Sequence, residues 1–329
     1  MDRHRAQRGL SLQPGRPGAP HSRGERRRQR SGRVIVSAID GPRPVRSADL
    51  RALRDLAARA FQADGAQPFN DHSWSQLSEG QARVALIHAD EKTLTAAAVV
   101  TGDEFELVVA PDARRQGLGR RLWQAAVGAG GRLVWTHGGL DAARALATAC
   151  GAVAIRELLL MQLPHHALLE LTDSDAPTRA LPDGLELRTM QTGRDEQAWL
   201  DLNARAFAAH PEQGQITADD LAALQRESWY SPDDVLLLWQ ADELVGFNWT
   251  KIAPGPDGRP EGEIYAIAVS PDHSGRGLGR VLMEHGLRHL AESVTDVSLY
   301  VEADNVPALA LYRRLGFEER SRDIHWQVR

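Results

Sequence analysis

Lysine is nearly absent from this chain: of 39 basic residues only Lys92 and Lys251 are lysines, and the other 37 are arginines. With abundant alanine and glycine, that bias fits a GC-rich genome such as an actinomycete's. A compact ammonium and a planar guanidinium are not interchangeable partners. Lys251 is therefore a candidate for a specific contact, with a solvated loop charge as the alternative. Cysteine is scarcer still. Cys150 stands alone, so no intrachain disulfide can form and a reducing, cytoplasmic compartment is expected. It lies at a small-residue helix end before Gly151 and reads as a structural thiol rather than a nucleophile. No apolar run approaches the roughly 20 residues that span a bilayer. Arg26-Arg27-Arg28 is followed by no apolar stretch, which argues against a secretory or twin-arginine signal.

The formal net charge of −5 hides an asymmetry. Residues 1–33 carry ten arginines against Asp2 and Glu25, a local +8, which leaves about −13 on the rest. A nucleic-acid binder would show a basic face on the folded body, so this balance argues against that class. The basic segment, rich in Gly, Pro, Ser and Gln, cannot bury enough surface to fold and is expected to be a disordered tail. The remaining length fits two domains of about 140 to 150 residues, each able to bury a core.

The most informative stretch runs from Gly262 to Gly279. Glu263, Tyr265, Ile267 and Val269 alternate with Ile264, Ala266 and Ala268, a β-rich run that predicts a strand buried on both faces. Ser270-Pro271-Asp272 ends it, Gly275, Gly277 and Gly279 follow, and Leu278, Val281, Leu282 and Leu290 open a helical pattern. A glycine-rich turn entering a helix leaves backbone N–H groups uncovered at the positive end of the dipole, a phosphate site. A single such turn can be a plain tight turn, but this one is repeated. Val109-Ala110-Pro111-Asp112-Ala113-Arg114-Arg115-Gln116-Gly117-Leu118-Gly119-Arg120 aligns without gaps on Val269 to Arg280, at an offset of 160 residues.

The remaining pattern repeats as well. In the first half a short strand after Val34 precedes a helix with Leu50, Leu53, Leu56, Ala57 and Phe61 on one face. Strands are predicted over 83–88, 93–101, 105–109, 133–136 and 153–163, and helices over 118–127 and 141–149. Residues 164–184, with three prolines and little periodicity, read as a linker. The second half predicts strands over 185–188, 235–240, 244–252, 297–302 and 324–328, and helices over 197–207, 218–226 and 306–315. The division is thus a tail (1–33), a first domain (34–163), a linker (164–184) and a second domain (185–329).

Strand, R-x-x-G-x-G turn and helix resemble the acetyl-CoA pyrophosphate loop of the GCN5-related N-acetyltransferase (GNAT) superfamily. The resemblance covers the chain from Val34 onward and is strongest after Leu185. It implies an α/β fold with a mixed sheet, two tandem acetyltransferase domains, acetyl-CoA as co-substrate and no metal. Ser274 departs from the superfamily's usual Gln or Arg, which leaves the cradling to backbone amides. The resemblance places cofactor contacts at Ile267, Ala268, Val269, Ser274, Gly275, Arg276, Gly277, Leu278, Gly279 and Arg280. It adds Asn305, Val306, Pro307, Ala308, Leu309 and Ala310 on the helix after the 297–302 strand. In the first half the matching positions are Leu107, Val108, Val109, Arg115, Gln116, Gly117, Leu118, Gly119 and Arg120.

Acetyl transfer to an amine needs a neutral amine, a polarised thioester carbonyl and a proton for the departing thiolate. By resemblance Glu263 takes the amine proton, the strand backbone at Ile267, Ala268 and Val269 polarises the carbonyl, and Tyr312 is the general acid. On residue type alone Glu263 reads first as an edge or surface charge, and Tyr312 equally as core packing. Four further strings, His210-Pro211-Glu212-Gln213-Gly214, Trp249-Thr250-Lys251, Gly262-Glu263-Ile264-Tyr265 and Leu299 to Asn305, are similar to a tandem branch of the superfamily. That branch acetylates the cysteinyl amine of a small thiol pseudo-disaccharide, cysteinyl-glucosaminyl-inositol. The similarity implies acceptor contacts from Glu212, Lys251, Glu263 and Tyr300, with Asp71 reaching from the first half. Glu212 read alone is a solvated loop carboxylate.

Counting from Gly316 and Gly151 sets Ala147 opposite Tyr312, and the loop alignment sets Asp103 opposite Glu263. The first half is therefore expected to bind acetyl-CoA without catalysing transfer. His285 and His289, four apart on a predicted helix, lack a third metal ligand and read as a polar surface pair, and His165-His166 as linker residues. No nucleic acid or membrane partner is expected, and the chain is expected to act as a monomer. Two other functions stay open: a tandem acetyltransferase acting on another small amine such as an aminoglycoside or polyamine, and a non-catalytic acetyl-CoA-binding module.

Overall fold

The computed structural model describes residues 38–90, 93–172, 181–208, 213–255 and 258–329. The basic tail, Lys92 and Glu212 lie outside them. The first half runs β1 (Asp40–Pro44), α1 (Ser47–Asp64), α2 (Asp71–Ser78), β2 (Arg83–His88), β3 (Leu94–Thr101), β4 (Glu104–Val109), α3 (Leu118–Gly128), β5 (Leu133–Thr136), α4 (Asp141–Ala149) and β6 (Val153–Leu163). Helix α5 (His165–Thr172) follows. The second half runs β7 (Leu185–Thr189), α6 (Glu196–Ala206), α7 (Ala218–Leu224), β8 (Val235–Gln240), β9 (Glu243–Pro254), β10 (Pro260–Val269), α8 (Leu278–Ala291), β11 (Val297–Glu302), α9 (Val306–Arg314) and β12 (Glu318–Gln327). Among the described residues no helix is long and apolar enough to cross a membrane.

All twelve strands join one sheet in the order β1-β2-β3-β4-β5-β12-β6-β11-β10-β9-β8-β7. The closing strand β12 does not return to the half that precedes it. It inserts between β5, with Ile324 opposite Thr136, and β6, with Ile324 opposite Glu157. Reciprocally, β6 pairs with β11, Leu163 opposite Val297. Each half thus lends its last strand to the other, and the cores record the exchange. Ile324 and Trp326 are buried with Leu53, Val99, Phe105 and Leu122 of the first half, whereas Leu159, Met161 and Leu163 are buried with Leu287, Leu290 and Leu299 of the second. A third cluster packs Trp199 of α6 against Phe247 and Trp249 of β9.

Four features differ from the sequence-based expectation. The 164–184 stretch contains α5, whose Leu168 is buried against the second-half core while His165 Nδ1 lies 3.1 Å from the Thr295 carbonyl. Helix α2 was not anticipated, being only eight residues long with Ser73 and Leu77 as its buried positions. Strand β12 starts at Glu318 rather than Ile324, because residues 318–323 are all polar and none is fully buried. Strand β10 alternates buried and half-buried residues instead of burying both faces throughout: Ile264 packs on one side with Met283 and Leu287 of α8, and past Tyr265 the buried Ala266 and Ala268 pack on the other with Trp199 of α6.

Removing residues 318–329 would strip β5 and β6 of their shared partner and take Ile324 and Trp326 from the first-half core. The truncated chain is expected to lose cooperative folding in both halves, read as loss of the calorimetric transition. A stable second half with only the first half melted would contradict this.

Candidate active site

Strands β10 and β11 run parallel and pair only at Gly262↔Val297, Glu263↔Ser298 and Ile264↔Leu299. Tyr265 is then an extra residue in β10, since Ile264 faces Thr250 of β9 and Ala266 already faces Trp249. A bulge bends its strand and ends pairing. From Ala266 to Val269, β10 keeps β9 on one edge and, among the described residues, has no strand on the other. Successive strand residues turn their backbone groups to opposite edges. Ser270 N–H donates to the Val245 carbonyl beside β9 at 2.8 Å, so Ile267 and Val269 present N–H and C=O to the open edge and Ala268 faces β9.

Glu263 stands just before this opening, its Oε2 3.5 Å from Nζ of Lys251, the residue opposite it on β9. Burial pushes its carboxyl above the ordinary carboxylate range; Lys251 opposes that rise and the charge of Asp71 adds to it. A carboxyl held there exchanges protons closer to neutrality, as a general base requires. Across the opening, Asn305 caps α9 by accepting the Ala308 N–H at 3.2 Å. Tyr312 on that helix is 6% exposed and packs on Phe317 with ring centroids 5.9 Å apart. Burial pushes its phenol up to about 12, so it keeps its proton at neutral pH. Val306 and Pro307 are exposed at the start of α9, Ala308 and Ala310 are half-buried, and Leu309 is buried in the core.

Beyond β10, Pro271–His273 forms a short 3-10 turn, Gly275 and Gly277 take φ of +74° and +78°, and α8 begins at the buried Leu278. The first half repeats this geometry: Pro111–Ala113 turns, Arg115 and Gly117 take φ of +63° and +81°, and α3 begins at the buried Leu118. Among the described residues no side chain caps either helix, which leaves the first N–H groups to meet an anion. Arg280 is held by Glu284 at 2.6 Å and Arg276 reaches Gln240 at 3.5 Å. With Ser274 exposed, the cradle is mainly backbone.

Several candidate acceptor contacts converge on Glu263. Tyr300 on β11 is 52% exposed, yet burial of its surroundings and the charges of Glu263, Asp323 and Asp71 push its phenol up to about 12. Water reaches the ring while protein surrounds it, as in an open cleft. Asp71, the first residue of α2, is near enough for its charge to act on both Glu263 and Tyr300. Lys251 lies 4.9 Å from the Trp229 ring centre and 5.7 Å from that of Tyr265. Local sequence marks neither aromatic as an acceptor contact: Tyr265 reads as one more residue of a β-rich run, and Trp229 lies in no recognisable motif. Glu212 lies outside the described residues.

The sequence model of the acetyltransferase (GNAT) family matches residues 50–152 and again 197–317. The chain belongs to the GNAT acetyltransferase family. Its relatives include a mycothiol acetyltransferase of Catenulispora acidiphila, 39% identical over 85% of this chain and 96% of that one. Another, from Clavibacter sepedonicus, is 43% identical over 84% of this chain and 91% of that one. Among solved structures, a GCN5-related N-acetyltransferase from Sphaerobacter thermophilus superposes with a TM-score of 0.65 at 23% identity, covering 87% of this chain and 95% of that one. A tandem GNAT protein from the clavulanic acid biosynthesis pathway gives 0.62 at 18%, covering 88% and 98%. These two share the tandem GNAT fold.

The two GNAT halves of this acetyltransferase differ at the chemical positions. Ala152 N–H donates to the Ala147 carbonyl as Phe317 N–H donates to that of Tyr312, so Ala147 does occupy the tyrosine position. The other alignment needs correction. Strand β4 has no bulge: Glu104 pairs with Thr101 of β3 and Leu133 of β5, as Glu263 pairs with Lys251 and Ser298. The counterpart of Glu263 is therefore Glu104, and Asp103 falls in the preceding turn. His325 beside Glu104 holds that carboxyl below its ordinary range despite burial, the opposite of Glu263.

Two side readings also change. His289 Nε2 lies 2.6 Å from Asp234 Oδ1, and His285 Nε2 is buried without a hydrogen-bond partner among the described residues, so these are not simple surface residues. Among the described residues no group of three or more His, Cys, Asp or Glu is placed to hold a metal ion. Cys150 is half-buried, and burial raises its thiol, which suits a structural role.

Gly277→Ala would place a side chain at φ of +78°. It is expected to cost about 1–2 kcal/mol of stability in urea unfolding and to weaken acetyl-CoA binding in calorimetric titration. Unchanged values for both would show that the turn tolerates a Cβ.

Proposed function

We propose that this acetyltransferase uses acetyl-CoA to acetylate the cysteinyl amine of cysteinyl-glucosaminyl-inositol, giving mycothiol and CoA. The observation that carries this reading is Glu263 beside Lys251 at the mouth of an open strand edge, in a chain about 40% identical along most of its length to mycothiol acetyltransferases. Acetyl-CoA supplies the activated acyl group, for which the second-half glycine loop offers backbone N–H groups to the pyrophosphate. Ile267 and Val269 offer the pantetheine arm and thioester carbonyl their unpaired backbone groups, where a donor that meets developing negative charge is worth most. Glu263 takes a proton from the acceptor ammonium, through water, which frees the lone pair for attack on the thioester carbon. As the carbon–sulfur bond breaks, Tyr312 gives its proton to the thiolate. Asp71, Lys251 and Tyr300 hold the hydroxyl-rich acceptor, with Glu212 as a further contact.

The first half keeps the loop, with Leu107 and Val109 on its open edge, and we assign it acetyl-CoA binding without transfer. Its Glu104 is held ionised by His325 and no tyrosine stands at Ala147. Action at this site needs no partner chain, and a cytoplasmic monomer fits.

Glu263→Gln is expected to lower kcat by about 10²–10⁴-fold while acetyl-CoA still binds. The Glu263 carboxyl is raised in the folded chain, so any stability it contributes is present below its unfolded pKa and lost as pH rises through the folded one. At neutral pH its charge is a net cost, and the Gln variant should melt no lower than the parent. Acetyl-CoA consumption with the pseudo-disaccharide, aminoglycosides and polyamines in parallel tests the acceptor. Turnover confined to another amine would overturn the assignment; acetyl-CoA binding without turnover on any would leave a binding module.

A further inference from the structure

A buried ion relay in the first half is used by none of the steps above. Glu106 on β4 is 2% exposed, and its counterpart past the β10 bulge is Ala266, so the fold itself requires no carboxylate there. Burying an ionised carboxylate is costly unless partners satisfy it, and here they do. Oε1 of Glu106 lies 2.6 Å from His137 Nε2, and the Asn70 N–H lies within 3.2 and 3.3 Å of its two oxygens. On the other side of the ring, His137 Nδ1 lies 2.9 Å from Asp323 Oδ2, and Asp323 Oδ1 accepts the Gly138 N–H at 2.9 Å. With a carboxylate on each nitrogen both must donate, so the ring is an imidazolium. Burial works against that charge, but the hydrogen bonds to Asp323 and Glu106 outweigh it and hold the group up to about 10. The Trp135 ring lies nearly parallel to that of His137, with centroids 6.3 Å and planes 9° apart.

The two ends of the relay identify its purpose. Asp323 comes from β12, the strand that the second half lends to the first, and its charge reaches Tyr300. Asn70, whose backbone Glu106 grips, caps α2 by accepting the Ser73 N–H at 2.8 Å, and the next residue is Asp71. Hydrogen bonds to ions are directional and strong, so the relay fixes where α2 starts more narrowly than apolar packing would. We propose that Glu106, His137 and Asp323 are positioning residues for acetyl transfer, tying the start of α2 to the closing strand so that Asp71 is presented to the acceptor pocket of the other half. This rests on the assignment of Asp71 and Glu263 to the acceptor site.

The test compares His137→Gln, Asp71→Asn and their double variant by steady-state kinetics with the cysteinyl pseudo-disaccharide and acetyl-CoA. His137→Gln is expected to raise the acceptor KM about tenfold, a size ordinary for coupled neighbours, and to leave the acetyl-CoA KM within about twofold. Added to Asp71→Asn it should change the acceptor KM by less than about twofold, since its effect runs through that residue. Asp323→Asn keeps the hydrogen-bonding shape and serves if His137→Gln fails to fold; its smaller rise in acceptor KM should likewise vanish in the Asp71→Asn background. Additive effects, equal changes in both KM values, or folded variants with the parent's acceptor KM would overturn the inference while leaving the function standing. A parent enzyme that ignores the pseudo-disaccharide would overturn both.

Discussion

Strand β12 pairs with β5 on one side and β6 on the other, and the site depends on that exchange more than on any single side chain. The parallel strands β4 and β5 part after two rungs, as β10 and β11 part after three. A sheet split in this way leaves unpaired backbone edges that attract further strands. The exchanged strands bridge the far side of each split, β12 against β5 and β6 against β11, so the sheet stays continuous while the edges of β4 and β10 stay open. The opening at Ile267 and Val269 is thus a consequence of topology, with Glu263 fixed by its rungs to Lys251 and Ser298 on either side.

The exchange also decides what stands beside each glutamate. Trp135 and Tyr300 occupy matching places on β5 and β11, two residues past the rungs of Glu104 and Glu263. Opposite Trp135 the inserted strand supplies His325; opposite Tyr300 it supplies Leu160. In the first half these two rings stack at 4.3 Å with planes 3° apart, and His325 stabilises ionised Glu104. In the second half Leu160 offers no charge, and Tyr300 remains open to solvent. Two glutamates in one register thus shift in opposite directions: burial raises Glu263, while His325, brought by the lent strand, lowers Glu104.

What the sequence made legible follows its physics. The glycine loops stood out because positive φ restricts residue choice, and the repeat then exposed the tandem architecture; even Arg115, which breaks the glycine pattern, adopts the left-handed geometry of Gly275. Short apolar strands such as β2 and β11 were located to the residue. The bulge at Tyr265 was not, since one inserted residue leaves the alternation of side chains readable on either side while displacing the count, and so Asp103 was matched where Glu104 belongs. The all-polar first half of β12 gave no periodic signal. Contacts between residues 31 and 186 apart, such as His137 with Glu106 and Asp323, have no local trace in a single sequence.

The same constraints hold the first half in the chain. That half cannot be an independent passenger, because its core holds Trp326 and Ile324 of the closing strand and its own β6 completes the second-half sheet. The place beside Glu104 is occupied by the Trp135–His325 stack, whereas Tyr300, in the matching place of the other half, is largely exposed. On the proposed assignment of Asp71 to the acceptor, what the first half gives the reaction is rigid structure carried to the neighbouring cleft, with Asp71 at the start of α2 as the charge it delivers. A capped helix start gripped through its backbone is well suited to that task. The position of the carboxylate is thereby set through main-chain geometry.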